Sequence, residues 1–87
     1  MIKFLETVTG FFEEYPNIEV EYSIIESSIL ITKHMEQDRY IILVHPESNS
    51  YKVCSRLQKP DGQYVHLADK TYKTQRSAVK YITNILG

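Results

Sequence analysis

The sequence has few of the residues that form disulfides, backbone turns or glycine-rich loops. Among 87 residues there are one cysteine, three glycines, three prolines and no tryptophan. The lone Cys54 excludes an internal disulfide, so we expect a reduced, cytoplasmic setting. Three glycines without a GxGxxG or P-loop pattern leave no phosphate cradle. No stretch approaches the ~18 apolar residues of a membrane span, and Lys3 and Glu6 interrupt the apolar N-terminus of a would-be signal peptide. We therefore expect no membrane partner.

The composition is that of an ordinary folded domain, with 43% hydrophobic and 24% charged residues. No linker, repeat or composition shift divides the chain, so we predict one domain over residues 1–87. The apolar content is sufficient for a core without a structural metal.

The net charge of −1 conceals an uneven distribution along the chain. Residues 1–47 carry nine acidic and three basic side chains, a net charge of −6, whereas residues 48–87 carry two acidic and seven basic side chains, a net charge of +5. Such a division also arises by chance in small proteins. If the fold keeps the two signs apart, however, the molecule is an electrostatic dipole.

Helical periodicity marks both ends of the chain. Near the N-terminus an apolar stripe recurs at spacings of three and four and ends before Pro16, which predicts an amphipathic helix; its members are Ile2, Leu5, Val8, Phe12 and Tyr15, with Phe4 and Phe11 beside them. Near the C-terminus Thr74 is a candidate N-cap ahead of a second stripe, comprising Ala78, Tyr81, Ile82, Ile85 and Leu86.

Between these predicted helices, apolar and polar residues alternate with the period of two that is typical of β-strands. Residues 17–25 and 28–34 read as a hairpin, and the apolar run of residues 40–44 reads as a central strand followed by a loop at 46–50. The run Lys59-Pro60-Asp61-Gly62 predicts a tight hairpin turn between strands at 51–58 and 63–68.

Counting back from that turn gives the predicted register of the last two strands. It opposes Leu57 to Val65, Arg56 to His66, Ser55 to Leu67 and Cys54 to Ala68, with Val53, Leu57, Val65 and Leu67 on one face. The predicted fold is α+β: an N-terminal helix, an antiparallel meander of five strands (four at the least) and a C-terminal helix, with both helices on one face.

Strand parity then predicts the composition of the other face. It grades from acidic through apolar to basic, and its candidate partner-binding residues are Glu19, Glu21, Leu30, Ile41, Leu43, Arg56, Tyr64 and His66. An uncovered apolar patch with charged borders is typical of an interaction site. Coverage by a helix or loop, and pairing with a second copy to form a homodimer, are the alternatives.

Catalytic and metal-binding patterns are weak. No two of His34, His45 and His66 have helical zinc-site spacing, and a Cys54–His66 nucleophile pair would lie on a flat strand face without a pocket. We therefore expect no enzyme activity, metal or cofactor.

The leading functional hypothesis is a non-catalytic protein-interaction module with a protein partner. Small size, absence of a catalytic constellation and divided charge are also features of phage-encoded inhibitors of nucleic-acid-handling defence complexes, such as anti-CRISPR proteins, which act stoichiometrically. The alternative is direct DNA or RNA binding by the basic half of the chain. Its candidate residues are Lys52, Arg56, Lys59, Lys70, Lys73, Arg76 and Lys80, which alternate with tyrosines.

Overall fold

The computed structural model describes residues 2–87. The elements in chain order are α1 (Ile2–Phe11), β1 (Ile18–Ser23), β2 (Ser28–His34), β3 (Arg39–Glu47), β4 (Ser50–Gln58), β5 (Tyr64–Tyr72) and α2 (Gln75–Leu86). The five strands form one antiparallel sheet in the order β1-β2-β3-β4-β5. The predicted α+β meander between two helices is confirmed.

Both helices pack on the same face of this sheet, which we call the covered face. The reason is strand parity: alternate apolar residues of β1 to β4 point to one side, and the apolar stripes of the helices close over them. The resulting buried cluster consists of Phe4, Val8 and Phe12, then Ile18, Ile29, Ile31, Ile42, Val44 and Val53 of the sheet, and Ala78, Ile82 and Leu86 of α2.

The helix α1 is shorter than predicted, and it buries a different stripe. It ends at Phe11, and the buried positions are Phe4, Val8 and Phe12, spaced four apart, whereas Ile2 is 66% exposed. The two stripes share Val8 and Phe12, so the spacing alone does not choose between them. Packing against the sheet favours the stripe that contains Phe4, whose aromatic ring is larger than the Ile2 side chain. The Phe4 ring contacts Tyr51 at 5.4 Å between ring centroids.

The predicted turn between β4 and β5 is confirmed in detail. Gly62 has φ +90°, in the region that favours glycine, and its N–H donates to the Lys59 carbonyl at 2.9 Å. The Lys59 N–H donates to the Gln63 carbonyl, and the Gln63 N–H also donates to Asp61 Oδ1 at 2.9 Å. Each residue of the run therefore has the turn position that its chemistry favours.

The predicted register of β5 is correct near this turn and wrong beyond it. Arg56 pairs with His66 and Leu57 with Val65, but Ser55 pairs with Ala68 rather than with Leu67. A β-bulge inserts one extra residue into β5, so every later partner shifts by one. Val65 and Leu67 are both exposed and take no part in the core.

The strands β3 and β5 also run further than predicted. The strand β3 continues through Pro46 to Glu47, and a two-residue turn at 48–49 replaces the longer loop expected there. Pro46 and Glu47 pair with Tyr51 and Ser50 at the start of β4, so backbone pairing overrides the local loop propensity of the Pro46 segment.

The helix α2 is fixed at both ends. The predicted N-cap is confirmed, since Thr74 Oγ1 accepts from the Ser77 N–H at 3.2 Å. At the other end, Lys33 Nζ of β2 donates to the Leu86 carbonyl at 3.1 Å, placing a cation at the negative end of the helix dipole. No helix among residues 2–87 has the length and apolar character needed to cross a membrane.

Candidate functional site

The face of the sheet opposite the helices, which we call the open face, contains all eight predicted partner-binding residues. The ladder registers arrange its side chains in rows that run across the strands. The first row is Glu19, Thr32, Ile41, Arg56 and His66, and the second is Glu21, Leu30, Leu43, Cys54 and Asp69. In the third row, Ser23 pairs with Ser28, and His45 pairs with Lys52, which pairs with Thr71.

The centre of the open face is apolar. Leu30 of β2 pairs directly with Leu43 of β3, and Ile41 pairs with Thr32 in the next row. These aliphatic side chains are only partly shielded, by one another and by their neighbours on the sheet. The core cluster that both helices join is on the other face. Three aliphatic residues therefore lie on two central strands without a covering layer.

The acidic border is β1, an edge strand. Glu19 and Glu21 are two residues apart, and their side chains project from the same side of the strand. The Glu19 Oε1 atom lies 3.2 Å from His34 Nε2 on β2, although the two atoms do not have the geometry of a hydrogen bond. Both side chains remain substantially solvent-accessible, so the Glu19 carboxylate stays exposed to solvent.

The basic border is β4 rather than the sheet edge. Lys52 and Arg56 project from β4, and the Arg56 guanidinium carbon lies 6.0 Å from the centroid of the Tyr64 ring on β5. The bulge adds Asp69 to this side of the open face, opposite Cys54, which the sequence-based register did not place there. His66 Nε2 lies 3.5 Å from Asp69 Oδ2, so β5 itself presents a mixed-charge margin.

Cys54 lies among these groups on β4, opposite Asp69. Burial is the main cause that raises its pKa above the ordinary value, and the Asp69 carboxylate is the next. A raised pKa lowers the fraction of thiolate at neutral pH, and thiolate is the nucleophilic form. The structure also sets His66 opposite Arg56 instead of beside the thiol, so the arrangement disfavours nucleophilic chemistry at this position.

The three histidines do not converge. On the open face, His66 is in the first row, His45 in the third, and His34 pairs with Arg39 beyond the first row. Among residues 2–87, no group of three or more potential ligands could hold a metal ion.

The candidate nucleic-acid-binding residues are divided between the two faces. Lys52 and Arg56 are on the open face, and Lys59 is in the β4–β5 turn, where its Nζ lies 3.6 Å from Asp38 Oδ2. Lys70 pairs with Val53 and so belongs to the covered side. The remaining three are also exposed: Lys73 lies between β5 and α2, and Arg76 and Lys80 lie on α2, the helix that covers that same side.

Sequence reasoning missed the tip of the β1–β2 hairpin. Residues 17–25 were predicted as strand, but β1 ends at Ser23, leaving Ile24 81% exposed and Ile25 98% exposed. Ser27 adopts φ +50°, and the Glu26 N–H donates to Ser23 Oγ at 3.2 Å, which closes the turn. The only sequence signal was the pair of adjacent isoleucines, which breaks the period-two alternation.

The chain matches no known protein family, no curated protein and no solved structure in the comparisons made. The fold and the open face nevertheless define a structural class: a small α+β protein whose single meander sheet has helices on one face and a charge-bordered apolar patch on the other.

Proposed function

We propose that the chain is a non-catalytic protein-interaction module and that the open face is its binding surface. The observation that carries the proposal is the in-register apolar centre formed by Leu30, Ile41 and Leu43 outside the helical layer. The carboxylates of Glu19 and Glu21 border it on one side, and Lys52 and Arg56 border it on the other. An apolar centre with a polar rim is the usual anatomy of a protein interface.

The non-catalytic part of the proposal is supported by the same geometry. The histidines are spread over separate positions on the open face, and the Cys54 thiol has a raised pKa beside Asp69. The face is a sheet surface, whereas catalytic groups generally converge in a concave pocket. The proposal involves no cofactor.

In its more specific form, the proposal is a stoichiometric inhibitor or modulator of a nucleic-acid-handling complex, of the kind encoded by phages against host defence. Such complexes expose basic grooves, which the exposed Glu19 and Glu21 side chains of β1 complement. The basic β4 border and the apolar centre would provide the remaining contacts. The proposal places the protein in the cytoplasm, where the free Cys54 thiol stays reduced.

The test is affinity capture with matched variants as bait. Leu43→Arg introduces a charge at the centre of the open face, and Ile25→Arg introduces the same charge at the exposed hairpin tip. The proposal predicts that proteins captured by the wild type, identified by mass spectrometry from the native host, are lost with L43R and retained with I25R. Capture that survives L43R, or that is lost only with I25R, would contradict it. Melting temperatures confirm that each bait is folded.

Direct nucleic-acid binding is the second candidate, favoured by one observation. Lys70, Lys73, Arg76 and Lys80 are all exposed on the β5–α2 side, and no ion pair joins them to an acidic side chain within residues 2–87. This candidate predicts gel retardation of duplex or single-stranded nucleic acid at low salt, lost with K73E/R76E and weakened steeply as salt rises. An unretarded probe at micromolar protein would eliminate it.

A further inference from the structure

The charges of the open face have an order that bears on the identity of its partner. In the first row, Glu19 of β1 and Arg56 of β4 are separated by Thr32 and Ile41. In the second row, Leu30 and Leu43 occupy these middle positions. The first two rows thus have an acidic residue on β1 and mostly apolar residues on β2 and β3, and the basic residues of β4 are Arg56 in the first row and Lys52 in the third. If a second copy faces this surface with its strand order reversed, the acidic border of each copy lies opposite the basic border of the other.

We propose that a second copy of this chain occupies the open face, in a face-to-face dimer whose two-fold axis runs parallel to the strands between β2 and β3. The inference rests on the proposed function, since it names the partner of the same surface. The axis sets β1 over β4 of the second copy, and β2 over β3. Glu19 then faces Arg56 of the other copy, while Leu30 faces Leu43.

The charge order selects this axis over the other way of stacking two such sheets. A two-fold axis across the strands would set β1 over β1, so that the acidic borders of the two copies face each other, and β4 over β4, so that their basic borders face each other. Like charges facing each other disfavour that arrangement. Strands that run nearly parallel across two stacked sheets are also the common aligned packing, with the sheets about 10 Å apart.

The footprint predicts the strength of this dimer. Four strands at about 4.8 Å spacing and six residues at about 3.4 Å each give a projected area of roughly 400 Å² per copy. Standard stable interfaces bury about 800 Å² per partner. The strand β5, with Asp69, extends beyond the overlap. We therefore expect a weak, transient dimer that dissociates more readily at high salt.

Sedimentation equilibrium of charge-reversal variants tests the inference. E19K/E21K makes both borders basic and K52E/R56E makes both acidic, so each protein alone should dimerise at least ~10-fold more weakly than wild type. Mixed in equal amounts at low salt, the two variants should form a heterodimer, because both borders are then complementary. The control variant E13K/E14K reverses two charges outside the sheet, in the exposed segment after α1, and should dimerise as the wild type does.

The outcomes separate this inference from the proposed function. A wild-type mass that rises above the 10.2 kDa of one chain with concentration, together with heterodimer formation by the mixed pair, supports the dimer. A wild-type mass that stays at one chain up to millimolar concentration overturns it, and so does a mixed pair that fails to associate. If the dimer fails while L43R still abolishes capture of another protein, the proposed function stands and only the second copy is excluded.

Discussion

Two adjacent isoleucines on β3 provide a sensitive stability test, because they point to opposite faces of the sheet. Ile42 is 0% exposed and pairs with Ile31 and Ser55 on the covered face, while Ile41 is partly exposed on the open face. Replacing Ile42 with alanine removes side-chain atoms from the core and leaves a cavity, at a cost of about 2–5 kcal/mol. Replacing Ile41 with alanine should cost about 1 kcal/mol, since much less contact is lost.

The comparison isolates burial from strand propensity, because both variants exchange the same residue types in the same central strand. Urea unfolding followed by far-UV circular dichroism, at protein concentrations low enough to keep the chain monomeric, measures both free energies of unfolding. At about 4–8 °C per kcal/mol, I42A should lower the melting temperature by roughly 8–40 °C and I41A by less than ~8 °C. Equal losses, or a larger loss for I41A, would refute the assignment of the two faces.

Three further predictions test local features. Thr74→Ala removes the side-chain acceptor for the Ser77 N–H and should cost about 0.5–2 kcal/mol, measured by urea unfolding; Thr74→Ser keeps that acceptor and should cost less. Gly62→Ala forces a side chain into φ +90° although the space around it is open, so it should destabilise by about 1 kcal/mol; an unchanged stability would show that the turn does not need this conformation. Asp69→Asn removes the carboxylate that helps to raise the pKa of Cys54, so the pKa should fall and alkylation by iodoacetamide at mildly alkaline pH should accelerate; a slower reaction would contradict the pairing of the two residues.

Most of the sheet could be predicted from local chemistry. The period-two alternation of β1, the apolar run of β3 and the Lys59–Gly62 turn each indicate their structure from neighbouring residues alone. Strand parity then places Leu30 and Leu43 on the same face, because each side-chain direction follows from the one before it. Most of the composition of the open face could therefore be predicted from the sequence.

The features that could not be predicted depend on long-range pairing. The β5 segment contains no glycine that would predict a bulge. The single extra residue of the bulge brings Asp69 beside Cys54. The stripe of α1 was ambiguous, because Ile2 and Phe4 both fit a helical spacing that includes Val8. Only packing against the sheet distinguishes these alternatives, and it buries Phe4.

The central claim is that the open face is the protein-binding surface of the chain and that a second copy of the chain is its partner. The most direct measurement is a series of ¹H–¹⁵N correlation spectra recorded from micromolar to millimolar concentration at low salt. We expect concentration-dependent shifts at Glu19, Leu30, Ile41 and Arg56, all of which disappear in the L43R variant. Shifts confined to the Ile25 tip or to α2, or spectra that do not change with concentration, would contradict self-association through this face.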